Sequence, residues 1–286
     1  MRVGRIPYIN CYPVYGGVDR GLVPLDATLV DGVPTTLNRM MAEGQLDVSV
    51  VSAVEYARDS ERYLLLPELA ISCDGPVRSV MLFSNLPATE LHGKRVLVSR
   101  SSMTSVHLLE LLFEHVWKAQ PVFVPGNAEA DAVAARAGND VDARLVIGDA
   151  ALMLQSANHP VAQGHGRQYP YVYDLGAEWK RWTGLPFVFA VWVAQRSAPV
   201  EASLKVHAAL IRSRDWGLAH LDELSAQASR NTGVSLRECR EYFAGLDWRL
   251  TLQDLKGLTE FLRRLELAGR VPKGKLAFLP AANSAR

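Results

Sequence analysis

The chain has 286 residues, 49% of them hydrophobic and 21% charged, with 31 basic against 30 acidic side chains. At about 100–200 residues per domain this length suits two domains with proper cores. The near-neutral balance leaves no electrostatic footprint for nucleic acid or an anionic membrane, so an anionic ligand needs a local site. Arg2–Ile6 is short and apolar enough for a first strand. Tyr8–Pro13, with Asn10 in its middle and Pro7 just before it, reads as the loop after that strand. Ala27–Asp31 predicts a second strand. Val33–Glu43 predicts a helix, with Leu37, Met40 and Met41 at helical spacing and Gly44 as its C′ residue. Leu46–Ser52 then reads as a buried strand and Val54–Arg58 as a helix.

This strand–helix–strand repetition implies parallel pairing in an α/β sheet. Val77–Ser84 and Lys94–Val98 predict two more strands, and Ser99–Ser105 a hydroxyl-rich loop. Val106–Trp117 predicts an amphipathic helix carrying Leu108, Leu109, Leu111, Leu112 and Val116. Pro121–Val124 is read as a strand, Asp131–Ala137 as a helix, and Ala143–Ile147 as a strand ending at Gly148–Asp149. Phe187–Ala194 is apolar throughout and predicts a strand buried on both faces. From Val200 to about Ala268 the pattern is mainly helical, and Pro280–Arg286 is expected to fray. The expected division is a first lobe of residues 1–85 plus 190–286, carrying the helical tail, and a second of 86–189. The crossings fall near Ser84–Pro87 and Pro186–Trp192, with a ligand cleft between the lobes. Ligands of open α/β sheets sit beyond the carboxyl ends of strands, so the loops there carry the candidate residues.

Ser102, Thr104 and Ser105 precede an amphipathic helix, where hydroxyls and free amides can hold a carboxylate; the alternative is a plain N-cap. Asn10 can donate and accept at once, which suits a substrate hydroxyl, or it forms an Asx-turn before Pro13. Ser52 and Ser79 follow or interrupt apolar strands and either meet a ligand or bond backbone. Gly148 and Asp149 end a strand, with Asp149 equally suited to capping the next helix. Thr183, Gly184 and Leu185, with Pro186, line the expected cleft or form its hinge. Trp179 and Trp182 read as packing. No HxxxH, HExxH, GxGxxG or Walker pattern occurs. His107 lies on a helix face near a motif, while His159 and His165 lie in a polar loop. Cys11, Cys73 and Cys239 show no CxxC spacing. No metal and no cofactor is therefore expected. The opening MRVGRIPYIN has no apolar stretch and no run approaches about 18 apolar residues, so the expectation is a cytoplasmic chain without leader or membrane span.

The segments Ile6–Val14, Val48–Ala57, Gly75–Ser84, Ser99–Leu112, Val146–Leu152 and Asp174–Trp192, in this order and spacing, resemble those of chorismate dehydratases of the futalosine route to menaquinone. The resemblance spans about residues 1–280. It implies a two-lobed α/β fold like that of type II periplasmic binding proteins, with the ligand in the cleft. It also implies a lyase that removes water from chorismate to give 3-[(1-carboxyvinyl)oxy]benzoate. Asn10 is then the catalytic residue, and Ser52, Ser79, Ser102, Thr104, Ser105, Gly148, Asp149, Thr183, Gly184 and Leu185 bind substrate. No acid–base pair emerges among these positions, so the expected base is the substrate's own enolpyruvyl carboxylate, with Asn10 orienting the reacting groups. Three rivals stand beside this reading: a non-enzymatic binding protein, a sister enzyme acting on cyclic dehypoxanthine futalosine, and an enzyme acting on a pyrimidine precursor. Chorismate is the expected partner, with no nucleic acid and no membrane; a homodimer is left open.

Overall fold

The computed structural model describes residues 1–134, 141–164 and 169–280. β1 (Arg2–Arg5) leads through a single 3-10 turn, Ile9–Cys11, into α1 (Tyr12–Asp19). Pro13 lies in the first turn of α1, where its missing N–H breaks no hydrogen bond, so much of the expected loop is helical. β2 (Thr28–Asp31), α2 (Pro34–Ala42), β3 (Val48–Ser52) and α3 (Ala53–Arg58) follow close to the expected boundaries. β4 (Tyr63–Cys73) has no counterpart in the sequence reading. Pro67 interrupts its apolar run, and Glu68 beside it takes φ +59°. β5 (Val80–Ser84) starts later than expected, because Val77–Ser79 forms a separate turn in which Ser79 N–H donates to the Val77 carbonyl at 2.7 Å.

Next come β6 (Arg95–Ser99) and α4 (Thr104–Leu112), which begins two residues before the expected start and passes into a π turn at Phe113–Trp117. β7 (Val122–Gly126) is followed by α5 (Ala128–Val133); residues 135–137 of the helix expected here lie outside the described residues, as do His165 and 281–286 of the tail. The chain continues with β8 (Ala143–Ile147), α6 (Gly148–Gln155), α7 (Pro160–Gly164), β9 (Tyr171–Asp174), α8 (Leu175–Thr183) and β10 (Phe187–Gln195). α9 (Val200–Ala219), α10 (Leu221–Thr232), α11 (Leu236–Ala244) and α12 (Leu252–Leu267) complete it.

These elements form two compact units. The first comprises Met1–Ser72, Val188–Leu224 and Asp247–Arg286. Its sheet runs β2-β1-β3-β10-β4, with β1 parallel to β2 and β3 and β10 antiparallel to β3. Every residue of β10 is buried, which is why its sequence is apolar on both faces. α1 packs on α9 so closely that a Cβ on Gly217 would lie 2.2 Å from the Pro13 carbonyl oxygen. That close approach fixes the helix following the Asn10 turn. Trp192 Nε1–H donates to the Tyr15 hydroxyl (3.1 Å), which donates to the Gly4 carbonyl (3.0 Å), tying α1 to the sheet beneath it.

The second unit comprises Cys73–Phe187 and Ser225–Leu246. Its sheet runs β7-β6-β8-β5-β9, with β6 parallel to β7 and β8 and β5 antiparallel to β8 and β9. Met81, Phe83, Val146, Ala151 and Leu154 form one of its buried clusters. The division departs from the expected 1–85 plus 190–286 and 86–189. β5 takes its partners from the second sheet, so the first crossing falls near Cys73. The helical tail is shared, because residues 225–246 belong to the second unit. Ser156 Oγ donates to Glu238 (2.9 Å) and the Tyr242 hydroxyl to Ser79 Oγ (3.0 Å), which hold α11 there. Among the described residues no helix is long and apolar enough to cross a membrane, and no group of three His, Cys, Asp or Glu could hold a metal ion.

Candidate functional site

In the first unit the carboxyl ends of the parallel strands β1 and β3 carry Asn10 and Ser52 on one edge of the sheet. Asn10 is held through its backbone: its carbonyl accepts from Trp248 Nε1–H at 2.6 Å. Its side-chain Oδ1 is buried and has no hydrogen-bond partner. Leaving such an acceptor unpaired costs about 1–3 kcal/mol, which a ligand hydroxyl or N–H can recover. The loop before Asn10 is pinned by Arg5, whose Nε and Nη2 donate to Asp31 at 2.6 and 3.0 Å and whose Nη1 pairs with Asp19. The Arg5 hydrogen bond holds the Asp31 carboxyl below its usual range, whereas burial pushes Asp19 above it. A cavity of about 180 Å³ opens here, lined by Arg5, Pro7, Cys11, Tyr12, Asp19 and Asp31, among others. Two carboxylates against one guanidinium make it a poor pocket for an anion.

Ser52 is a helix cap. Its Oγ accepts from Glu55 N–H and from Asn38 Nδ2, both at 3.1 Å, and its own N–H donates to Asn38 Oδ1 at 3.1 Å. Asn38, buried on α2, is a partner that no local sequence signal singles out.

In the second unit strand direction gathers several candidates. β6 and β8 run parallel and end at Ser99 and Ile147; β5 runs opposite, and Val80 pairs with Ile147. Ser79, Ser99–Ser105 and Gly148–Asp149 therefore share one sheet edge, joined by Asp174 at the end of β9. Gly148 takes φ +64°, and its N–H donates to the Ser79 carbonyl at 2.8 Å. Ser102 Oγ accepts from Ser105 N–H (3.2 Å) and donates to Ser105 Oγ (2.8 Å), so it caps α4. Thr104 and Ser105 are buried at the start of that helix. Arg100 lies in the same loop, exposed, a cation the sequence reading passed over. Asp149 lies in the first turn of α6, where the helix dipole favours a carboxylate.

Thr183 Oγ1 donates to the Trp179 carbonyl (2.9 Å) and accepts from Leu185 N–H (3.2 Å). Gly184, at φ +74°, donates its N–H to the Lys180 carbonyl at 2.8 Å. Thr183, Gly184 and Leu185 thus spend these polar groups on ending α8. His107 Nδ1 pairs with Glu110 Oε2 at 2.9 Å one helical turn away. Cys11, Cys73 and Cys239 are buried thiols that form no disulfide with one another.

Three residues join this edge without having been singled out. Asp174 caps α8 by accepting from Ala177 N–H (3.0 Å) and also accepts from Val77 N–H (3.0 Å) and Arg78 N–H (2.6 Å). Burial pushes its carboxyl up, and these N–H groups act in the opposite direction. Glu129 accepts from Ile147 N–H at 3.3 Å, and burial pushes its carboxyl up against a hydrogen bond with Ser99. Tyr242 donates to Ser79. Only Asp174 had a local signal, an Asp directly before a helical pattern.

Comparison with known proteins adds what geometry cannot. The family described as menaquinone biosynthesis matches residues 1–267. A chorismate dehydratase of Thermus thermophilus is 31% identical, with 91% of this chain and 96% of that protein covered. A 1,4-dihydroxy-6-naphtoate synthase of the same organism is 29% identical, covering 78% of this chain and 76% of that one. Among solved structures, the periplasmic aliphatic sulphonate binding protein of Escherichia coli superposes with a TM-score of 0.62 at 14% identity, covering 96% of this chain and 89% of that chain. The fold is that of the periplasmic binding proteins, as the sequence reading expected.

Proposed function

This chain belongs to the menaquinone biosynthesis family, and we propose that within it the chain is a hydro-lyase that dehydrates chorismate to 3-[(1-carboxyvinyl)oxy]benzoate. The observation that carries the reading is Asn10 Oδ1, a buried acceptor without a partner. The ring hydroxyl of chorismate is the donor it lacks. The substrate's enolpyruvyl carboxylate takes the ring hydrogen as a proton. The C–H electron pair becomes a ring π bond, the ring C–O bond breaks, and the departing hydroxide recovers the proton as water. Aromatisation drives the step, so the protein's part reduces to orientation and exclusion of water. The start of α4, with Ser102, Thr104 and Ser105 and with Arg100 close by in sequence, suits a substrate carboxylate. Ser79, Gly148 and Asp149 lie on the same edge of the second unit's sheet and are assigned to the substrate in this reading; Thr183, Gly184 and Leu185 are assigned a supporting place in that unit, and Ser52 supports the strand end of the first unit as the cap of α3. No cofactor enters the reaction.

The likeness to the 1,4-dihydroxy-6-naphtoate synthase supports a second reading, action on cyclic dehypoxanthine futalosine, over a smaller share of the chain. Purified protein is incubated with each compound separately while aromatic product is followed. Product from chorismate supports the first reading; product only from the futalosine derivative replaces it with the second.

A further inference from the structure

The turn Val77–Ser79 in the second unit holds a backbone conformation that its sequence does not favour. Arg78 takes φ +61°, a left-handed value that a residue with a long side chain rarely adopts. Such a residue persists only where its surroundings over-determine it, and strained residues of this kind cluster at functional sites. Here the surroundings are explicit. Asp174 accepts the N–H groups of both Val77 and Arg78, at 3.0 and 2.6 Å. Gln155 Nε2 donates to the Arg78 carbonyl, and Arg78 Nη1 pairs with Glu241 at 2.9 Å. Gly148 N–H takes the Ser79 carbonyl at 2.8 Å. None of these bonds occupies the Ser79 hydroxyl, which is met by a different group: the buried Tyr242 hydroxyl donates to Ser79 Oγ at 3.0 Å.

The direction of that last bond has a chemical consequence. A serine hydroxyl has one proton and two acceptor sites. With Tyr242 donating to its oxygen, Ser79 keeps its own proton for an acceptor, and a carboxylate oxygen is the acceptor for which a hydroxyl donor is best suited. We infer that the strained Val77–Ser79 turn is an orienting element for an anionic group of the substrate, and that Asp174 and Tyr242 are its positioning residues: Asp174 fixes the backbone of the turn, and Tyr242 fixes the direction of the Ser79 O–H. This rests on the reading of the chain as an enzyme acting on chorismate, a dianion.

Steady-state kinetics on chorismate with Y242F, S79A and the S79A/Y242F double variant test it, beside melting temperatures. Y242F retains the ring and loses the hydroxyl that meets Ser79. Its KM rises about tenfold, the worth of one charge-assisted hydrogen bond, while kcat stays within about threefold. S79A raises KM by a similar factor, and the double variant raises it no further, because one hydrogen-bond chain is being broken twice. R78G, whose left-handed backbone is free of strain, keeps the melting temperature yet raises KM, since a glycine turn is less firmly fixed. It also keeps the inference testable should Y242F fold poorly. A parental KM in Y242F or R78G, or KM increases that multiply in the double variant, overturns the inference while leaving the substrate reading intact. A parent chain that neither binds nor converts chorismate overturns both.

Discussion

At Asn10 a buried amide oxygen lacks any partner, whereas at the start of α4 Ser102 and Ser105 satisfy one another. The two places were equally promising as sequence, each a polar cluster following a strand of an α/β sheet. The structure separates them by energetics. An unpaired buried acceptor costs stability, while a closed capping pair stabilises its helix whether or not a ligand arrives. The first is an acceptor that a donor from outside the chain would satisfy. The second can serve a substrate with the groups its cap leaves over: the Ser105 proton, backbone N–H groups, the helix dipole and a nearby cation.

The largest effect expected is total. A chorismate analogue whose enolpyruvyl carboxylate is masked as an ester or amide should bind but give no aromatic product at saturation, since its base has been removed. Normal saturated turnover, followed by absorbance of the product, sinks substrate assistance and directs the search to a protein carboxyl; Glu129 and Asp149, on the second unit's strand edge, come first. Next in size is Asn10→Ala. Deleting one catalytic hydrogen-bonding group costs about 2–4 kcal/mol in the transition state, or roughly 30- to 1000-fold in kcat. Because the deleted oxygen is unpaired, the melting temperature should not fall. Asn10→Asp should be as poor, since it removes a donor and sets a negative charge against a dianion. A large stability loss with normal kcat would make Asn10 structural and collapse the contrast with α4.

The Ser102→Ala, Thr104→Ala, Ser105→Ala triple variant should show both effects together. Loss of the cap lowers stability by about 1 kcal/mol. Any carboxylate contact made by these hydroxyls adds a further loss in chorismate affinity, on the order of 1.5–3 kcal/mol per charge-assisted bond. Calorimetry against chorismate and denaturant unfolding of the same variant separate the two. Parental affinity beside lowered stability shows that the helix start is a cap and nothing more.

How far these places could be read beforehand depended on distance along the chain. β10 was legible because a strand buried on both faces must be apolar throughout, and α2 because its apolar spacing and Gly44 are local signals. β4 was missed because Pro67 breaks its run. The first crossing was placed late because nothing in Val80–Ser84 says which sheet it joins; that is settled by β8 and β9, far downstream. The partners that give the candidate residues their meaning are equally remote. Trp248 lies 238 residues from Asn10, and Tyr242 lies 163 from Ser79. A hydroxyl's chemistry is legible in a sequence; whether folding has already used it is not.

Ser52 provides the smallest expected effect and the sharpest control. Its Oγ accepts from Glu55 N–H and Asn38 Nδ2, so Ser52→Ala strands two donors, one of them at a helix N-terminus. Removing a serine cap costs about 1 kcal/mol, with a range of roughly 0.5–2. That should lower the denaturant midpoint without changing the slope, since the surface exposed on unfolding is unaltered. Ser52→Thr retains an acceptor at the same place and should recover most of the loss. Chorismate affinity should change in neither variant, because the bonds Ser52 makes are those of a cap, in contrast to Asn10, where the exposed cost is catalytic and the stability cost is nil. A tenfold loss of affinity in Ser52→Ala at parental stability would reverse the assignment and move Ser52 from the cap of α3 to the substrate.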